Sequence, residues 1–407
     1  MESADLVIVG CGPAGATAAR EAARAGVETV VLEKDAVVGE KRVCAAGLRP
    51  GFCTTFDLPR RLVHCDTPRV ALFDTHGVEH EVIFGPGHTT TREELDGTMG
   101  ALAVAEGADV RTRALFRSAT RGSDGRVIVE YADLHSAQRR RLAARNVFLA
   151  SGATINLGHV RPAGEDAASA LTFERWRDGL ITTLQYRVYL DGLAADIAYR
   201  TMEMHYFCTS RGRQVVAWMF PKRDHLAIGL GVMGKIPGDQ LRSELETFTQ
   251  RVRRRLYPNV RVLRTVEEGH LLYGGLPRPR FSDGSIMIGG TAAGLVDATN
   301  GEGIFEAAMS GRMAAGVVSA ERKHPVRAAT RYASALASRF ARRLVHRVKL
   351  MRLLERRPAR FTILFELLAA SPRFADALQK EDAERTVGDR LYLYCQAMRF
   401  ALRAGLG

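Results

Sequence analysis

The feature that most constrains this chain is Gly10-Cys11-Gly12-Pro13-Ala14-Gly15, a G-x-G-x-x-G turn between an apolar run, Asp5 to Gly10, and an Ala-rich run, Ala14 to Arg24. The first run reads as a buried parallel strand and the second as a helix closed by Gly26. Val27 to Leu32 reads as another strand, so the chain opens on a βαβ unit and an α/β fold. In such a turn the first glycine permits the tight bend. The second lets a pyrophosphate approach the backbone, and the third lets the helix pack close to the strand. The helix N-terminus presents free N–H groups and the positive end of its dipole to the phosphates. Glu33 closes the second strand 18 residues after Gly15. A carboxylate there accepts hydrogen bonds from ribose hydroxyls. It suits the free 2′-hydroxyl of FAD or NAD and disfavours NADP.

A second small-residue loop, Gly289-Gly290-Thr291-Ala292-Ala293-Gly294, runs on to Asn300-Gly301-Glu302-Gly303-Ile304. A short strand, Ser285 to Ile288, leads in, and a small-residue helix, Ala307 to Val318, leads out. Two such loops so far apart suit an extended cofactor; FAD is long enough to need both and a mononucleotide is not. Between them, Thr182 to Leu190, Ala198 to Cys208, Gln214 to Phe220 and His225 to Val232 read as antiparallel strands. Helical patterns dominate from Gly303 onward. The order predicts an α/β fold (α+β overall). Its parts are a discontinuous FAD-binding Rossmann-like domain (1–72, 92–160 and 270–324), an inserted antiparallel β-rich substrate domain (73–91 and 161–269) and a helical C-terminal region (325–407).

Apolar residues make up 46% and charged residues 25% of the chain, a globular balance that excludes disorder as the main state. Six cysteines in 407 residues exclude a disulfide framework. Neither they nor the histidines have metal-ligand spacing, so no metal is expected. The first residues have no basic n-region, and no apolar run reaches about 18 residues. A cytoplasmic protein is expected, without a spanning helix. Residues 321–360 hold 13 Lys/Arg against 2 Glu, nearly all of the net charge of +13. A local basic surface is expected rather than a nucleic-acid binder. In this stretch Tyr332, Leu336, Phe340, Leu344, Val348 and Met351 share one helical face. Two readings stay open for the helix near 327–357: packing on its own domain, or peripheral contact with anionic lipid head groups.

Four segments carry a resemblance to a known family: the N-terminal loop, Arg42-Val43-Cys44-Ala45-Ala46-Gly47-Leu48, Trp218-Met219-Phe220-Pro221-Lys222, and the Ala-Ala-Gly loop leading to Gly301-Glu302-Gly303-Ile304-Phe305 and Ser310-Gly311-Arg312. Together they resemble the geranylgeranyl reductases, FAD proteins of the aromatic-hydroxylase-like fold that saturate double bonds of prenyl chains. The resemblance spans roughly residues 5 to 320. It implies that Gly10, Gly12, Pro13, Ala14, Gly15, Glu33 and Lys34 hold the ADP half of FAD, with Arg92 near the cofactor. It places Gly290, Thr291, Gly294, Gly301, Gly303 and Ile304 along the flavin side. Cys44 then sits near the flavin as the candidate catalytic acid, and Gly47, Trp218, Phe220 and Pro221 line the prenyl channel. Thr291 stands where the family carries Asp, and Arg213 and Val216 stand where it carries Pro and Tyr. The implied partner is a prenylated lipid, quinone or chlorophyll-type pigment, with NADPH or a ferredoxin as electron donor. The alternative is a monooxygenase or halogenase of the same fold, because Trp218-x-Phe220-Pro221 is similar to the halogenase Trp-x-Ile-Pro. A third class is a non-catalytic lipid carrier with a relic flavin pocket.

Overall fold

The computed structural model describes residues 1–40, 44–83, 87–122, 124–154, 160–161, 170–192, 201–209, 211–380 and 384–405. The chain forms two compact units, each built from three segments. The first comprises Met1–Arg42, Arg92–Leu180 and Tyr273–Val345; the second comprises Val43–Thr91, Ile181–Leu272 and His346–Gly407.

The first unit is organised by a nine-stranded mixed sheet among the described residues. Glu2–Val9 lies between Thr29–Leu32 and Gln138–Leu149, parallel to both. Asp109–Arg111 extends the parallel part beyond Thr29–Leu32. Gln138–Leu149 pairs parallel with Ile286–Ile288 through its C-terminal end and antiparallel with Val127–Asp133 through its N-terminal part. That second pairing continues into Ala114–Arg121. The central strand is apolar throughout its second half (Leu6, Val7, Ile8 and Val9 are buried), as a parallel strand covered on both faces must be. Helix α1, Pro13–Arg24, follows that strand. Its neighbours in the unit include α3 (Arg92–Ala105) and α5 (Ile304–Ala320). A methyl group on Gly311 of α5 would lie 2.0 Å from the Ala14 carbonyl oxygen. Only glycine permits that backbone approach.

The second unit holds a seven-stranded sheet, ordered Val262–Tyr273, Leu180–Leu190, Leu226–Met233, Gln214–Pro221, Met202–Cys208, Val70–Phe73 and Glu79–Val82. The four middle strands expected from sequence are present and adjacent. Residues 193–200, the start of one predicted strand included, lie outside the described residues. One face buries Leu184, Val188, Val215, Ala217, Met219, Ile228 and Leu230 against Leu241, Leu245, Phe248 and Val252 of α4, Gly238–Leu256. A three-stranded sheet, Gly47–Leu48, Gly87–Thr89 and Cys65–Thr67, and a short helix α2, Phe52–Thr55, complete the N-terminal segment.

The compact units are cut differently from the sequence-based boundaries. Residues 43–72 group with the seven-stranded sheet, because Val70–Phe73 pairs with Met202–Cys208 and Thr89 donates its hydroxyl proton to the Pro221 carbonyl. The C-terminal region is no separate body: α6, Pro325–Leu336, groups with the first unit, and Tyr332 donates to the Ile288 carbonyl at 2.9 Å. Helix α7, Arg342–Glu355, follows a π-helical turn, Ala337–Ala341. The face Tyr332, Leu336, Phe340, Leu344, Val348 and Met351 is 0–5% exposed. Packing therefore accounts for it, and it leaves no apolar surface for lipid. Helices α8 (Ala359–Ala369), α9 (Pro372–Gln379) and α10 (Val387–Arg403) belong to the second unit.

Candidate active site

In the first unit the strand-turn-helix brings the predicted phosphate loop together. Gly10 has φ +94°, and a Cβ there would meet the Ala150 carbonyl oxygen at 2.7 Å. A Cβ on Gly15 would lie 1.8 Å from the Gly10 oxygen. Gly12 is the N-cap of α1 and makes no side-chain cap, and Pro13 occupies the first turn without needing a donor. The N-terminus of α1 is thus left for a ligand. Glu33 accepts from the Cys11 N–H at 2.8 Å and from the Asp35 N–H at 3.0 Å, so its carboxylate is fixed beside the loop. Lys34 is exposed and pairs with Asp35 at 2.5 Å. Arg92 makes a bidentate, buried pair with Asp96 at 2.9 and 2.5 Å. Its guanidinium lies 3.5 Å from where a Gly12 Cβ would be. Ser151 Oγ, next to the Gly10 turn, is buried with no hydrogen-bond partner among the described residues. Burial pushes the Cys11 thiol up, so Cys11 packs as a neutral group.

The second loop lies in the same unit. Gly289 donates to the Leu149 carbonyl, and Gly290 (φ +57°) donates to Ser310 Oγ at 3.0 Å. A Cβ on Gly290 would be 3.2 Å from the Ala14 methyl, so the second small-residue loop packs against the first turn of α1. Residues Gly290–Ala293 form one 3-10 turn, ended by Gly294 at φ +78°. Arg278, unremarked in the sequence, holds this turn. It is buried and donates to the Ala292 carbonyl at 2.6 Å and the Leu171 carbonyl at 3.0 Å. Burial lowers its pKa to about 10. Thr291 is half-buried beside it. Asp297 ties down the next bend through the Thr299 N–H and hydroxyl, while Gly301 takes φ +75°. Gly303 caps α5 with no side-chain bond, so Ile304 opens a second helix with an uncapped N-terminus. The uncapped helix ends, the orphaned Ser151 hydroxyl and the missing Cβ atoms together fit an extended, phosphate-bearing cofactor such as FAD.

The second unit brings Cys44 and Gly47 to the aromatic strand. A Cβ on Gly47 would lie 2.6 Å from the Phe220 ring. Lys222, buried at the end of the same strand, donates to the Ala45 carbonyl and, at 3.5 Å, to the Ala46 carbonyl. Ala46 takes φ +46°, and its N–H donates to Cys44 Sγ at 3.3 Å. Cys44 is half-buried. The alternation of Gln214–Pro221 puts Trp218 and Phe220 on the face away from α4, both half-buried, while Pro221 is buried at the strand end. Trp218 lies over Gly229, where a Cβ would come 2.3 Å from the indole. Its Nε1 donates to Gln185 at 2.9 Å, and Gln185 donates to Glu268 at 3.1 Å. Arg187 pairs with Glu268 at 2.8 Å. Sequence reading named Lys222 only as the end of the Trp218–Lys222 segment, with no role, and did not single out Gln185 or Glu268. Only Gln185 carries a local signal, a polar residue inside the otherwise apolar part of Leu180–Leu190. No cluster of metal-ligating side chains occurs among the described residues.

The uncapped phosphate loop and the mixed sheet define the class as an FAD-dependent oxidoreductase, and residues 3–49 match the family described as FAD binding domain. The relatives are more particular. The chain is 27% identical over 330 residues to the chloroplastic geranylgeranyl diphosphate reductase of Oryza sativa subsp. japonica, covering 77% of this chain and 66% of that protein. It is 27% identical over 339 residues to the digeranylgeranylglycerophospholipid reductase of Thermoplasma acidophilum, covering 78% of each. In fold it is similar to a geranylgeranyl bacteriochlorophyll reductase-like protein from Thermoplasma acidophilum (TM-score 0.65, 22% identity, 96% of both chains). It is also similar to a flavin-dependent brominase (TM-score 0.70, 17% identity, 92% of both). The resemblance to geranylgeranyl reductases therefore holds at the level of sequence relatives, and the flavoprotein fold holds beyond it.

Proposed function

We propose that this protein saturates carbon–carbon double bonds of a geranylgeranyl or other prenyl chain carried on a lipid, a quinone or a chlorophyll-type pigment. The observation that carries this reading is the half-buried thiol loop of Cys44 held by Gly47 and Lys222 against the Trp218/Phe220 strand. Relatives named as reductases of such chains support it. Gly10, Gly12, Pro13, Ala14, Gly15, Glu33, Lys34 and Arg92 bind the ADP half of FAD, and Gly290, Thr291, Gly294, Gly301, Gly303 and Ile304 bind its flavin side. When bound there, reduced FAD would supply hydride chemistry toward one carbon of the alkene. An isolated trisubstituted alkene accepts hydride poorly, so the other carbon must receive a proton in the same event. Cys44 Sγ, or a water in its place, gives that proton. Trp218, Phe220, Pro221 and Gly47 shape a dry channel for the chain. NADPH or a ferredoxin would be the source of electrons for the bound flavin.

The test is a product assay on anaerobic protein reduced with dithionite, which bypasses the natural donor. Geranylgeranyl diphosphate, a digeranylgeranylglyceryl phospholipid, a menaquinone and a geranylgeranylated pigment are supplied separately, and masses are read. Gain of one H2 per double bond in any of them is the expected result. No gain in any, together with fast reoxidation in air and modification of an aromatic compound, would replace this reading with the monooxygenase or halogenase one. A protein that takes up no FAD would replace it with the lipid carrier.

A further inference from the structure

In the first unit Arg278 is a buried cation, 4% exposed, and no carboxylate pairs with it among the described residues. Its Nε donates to the Ala292 carbonyl at 2.6 Å, its Nη1 to the Leu171 carbonyl at 3.0 Å, and its backbone N–H to the Ala293 carbonyl at 3.0 Å. Its Cζ lies 4.0 Å from the centre of the Trp176 ring. That ring stacks in turn on Tyr273, with centroids 3.6 Å and planes 6° apart. Trp176 is fixed by donation from Nε1 to the Ala153 carbonyl, and Tyr273 by donation from its hydroxyl to the Leu276 carbonyl. Burial lowers the Arg278 pKa only to about 10, so it stays charged at neutral pH. The loop it holds, Gly289 to Gly294, contains no acidic residue. A neutral donor could serve the same carbonyls without the cost of desolvating an ion. The charge is therefore the part of Arg278 that its own contacts leave unused, and an anion seated nearby would be stabilised by it.

We propose that Arg278 tunes the bound flavin: its buried charge favours the negatively charged reduced ring, so the protein holds reduced FAD more tightly than oxidised FAD. Place in the fold selects this anion. The phosphates are answered at the N-terminus of α1, whereas Arg278 holds the turn Gly290–Ala293 that the proposed FAD placement sets along the flavin. Tyr273, the far ring of the stack, lies 3.1 Å from where a Gly294 Cβ would be, so the stack backs the same turn. Ala292 and Gly294 are two residues apart, at most about 7 Å of chain, so the charge acts at short range on a ring seated there. Uptake of two electrons and one proton takes that ring from neutral to −1, and a fixed positive charge favours the reduced product. Burial among Trp176 and the carbonyls keeps solvent ions from screening it. The inference rests on the FAD placement proposed above and not on the prenyl substrate.

The experiment is a redox titration of the FAD-loaded parent, Arg278→Gln and Arg278→Lys with dithionite against an indicator dye, with no prenyl compound present. The parent should hold reduced FAD about tenfold or more tighter than oxidised FAD, which places its potential about 30 mV or more above that of free FAD. Arg278→Gln keeps a donor for the Ala292 carbonyl and removes the charge, so it should lower that ratio about tenfold. Arg278→Lys keeps the charge and should stay within about threefold of the parent. A parent potential at or below that of free FAD overturns the proposal whatever the variants do. So does a folded, FAD-loaded Arg278→Gln with the parent's potential, or an Arg278→Lys value as low as that of Arg278→Gln. A parent that shows these shifts but reduces no prenyl chain supports the inference and overturns only the substrate reading. A parent that takes up no FAD overturns the cofactor placement and this inference together.

Discussion

Gly12 and Gly15 stand three residues apart in one loop, yet a methyl group at each would act on a different step. Gly12 has φ −75°, and its added Cβ would meet Arg92 and Asp96 at 3.5 and 3.8 Å, ordinary contact distances. Gly12→Ala should therefore fold with an apoprotein Tm within about 1 °C of the parent while weakening FAD retention about tenfold or more, because the methyl occupies the pyrophosphate's approach. Gly15→Ala places a carbon 1.8 Å from a backbone oxygen, so it should cost the apoprotein about 2–3 kcal/mol before any ligand is involved. The ratio of flavin to protein absorbance and urea midpoints on stripped protein separate the two. His225 gives a second residue-level prediction. It is buried, and desolvation pulls its pKa down to about 4 against the Asp224 contact that raises it. Between pH 6.5 and 4 the unfolded chain takes up a proton that the folded chain refuses, so stability is lost as pH falls. From pH 7 to 5 the parent protein should lose about 2 kcal/mol more than His225→Asn in urea unfolding. Equal losses would show that His225 is charged in the fold. Cys44, Trp218 and Phe220 stood out in the sequence through their motifs. Lys222 closes one of those motifs, but its role was not legible, because the carbonyls it holds, Ala45 and Ala46, lie 177 and 176 residues away.

Among the elements, those with an internal rhythm were legible. The opening βαβ unit and the strands Leu180–Leu190, Gln214–Pro221 and Leu226–Met233 each carry their periodicity locally. Helix α4 carries one too, Leu241, Leu245, Phe248 and Val252, but it lies in a stretch given no element within the domain expected to be β-rich. Val262–Tyr273 lies at the sheet edge and alternates exposed polar residues with few buried ones, so it lacks an apolar signature. The strands of two and three residues around Gly47 exist through pairing with distant segments and have no local signal. Helix α5 shows how far a small-residue composition can be read. Gly311 and Gly316 look alike in sequence, five residues apart. A Cβ at Gly311 would lie 2.0 Å from the Ala14 oxygen, whereas nothing lies within 4 Å of one at Gly316. Gly311→Ala should lower stability by about 2 kcal/mol or more by forcing α1 and α5 apart. Gly316→Ala should raise it by about 0.5–1 kcal/mol through helix propensity. Urea unfolding of the two variants side by side checks the pair; equal effects of either sign would show that the α1–α5 crossing is not as close as drawn.

On the scale of the whole molecule, the residues proposed to hold the cofactor and those of the thiol loop fall in different units. The phosphate loop, Glu33, Arg92, the Gly290 turn and Gly303 all belong to the first unit, whereas Cys44, Gly47, Trp218, Phe220 and Lys222 belong to the second. A ligand that binds only the folded state stabilises it by RT ln(1 + [L]/Kd), about 2.7 kcal/mol at ~100-fold excess over Kd. For a unit of this size that is about 5–10 °C in Tm. Added FAD should therefore raise the melting transition of stripped parent protein by that amount and that of stripped Gly12→Ala by about half as much or less. Lys222→Met removes a buried ammonium from the backbone carbonyls of the Cys44 loop, in the unit that lacks the phosphate loop. Its FAD-induced shift should match the parent's, while the Cys44 thiol reacts faster with a soluble disulfide and prenyl reduction falls. Calorimetry with and without FAD, run on the same preparations as the thiol and product assays, reads both effects. A loss of the FAD shift in Lys222→Met would mean that the two tasks are not divided between the units, and that Lys222 helps to hold the cofactor.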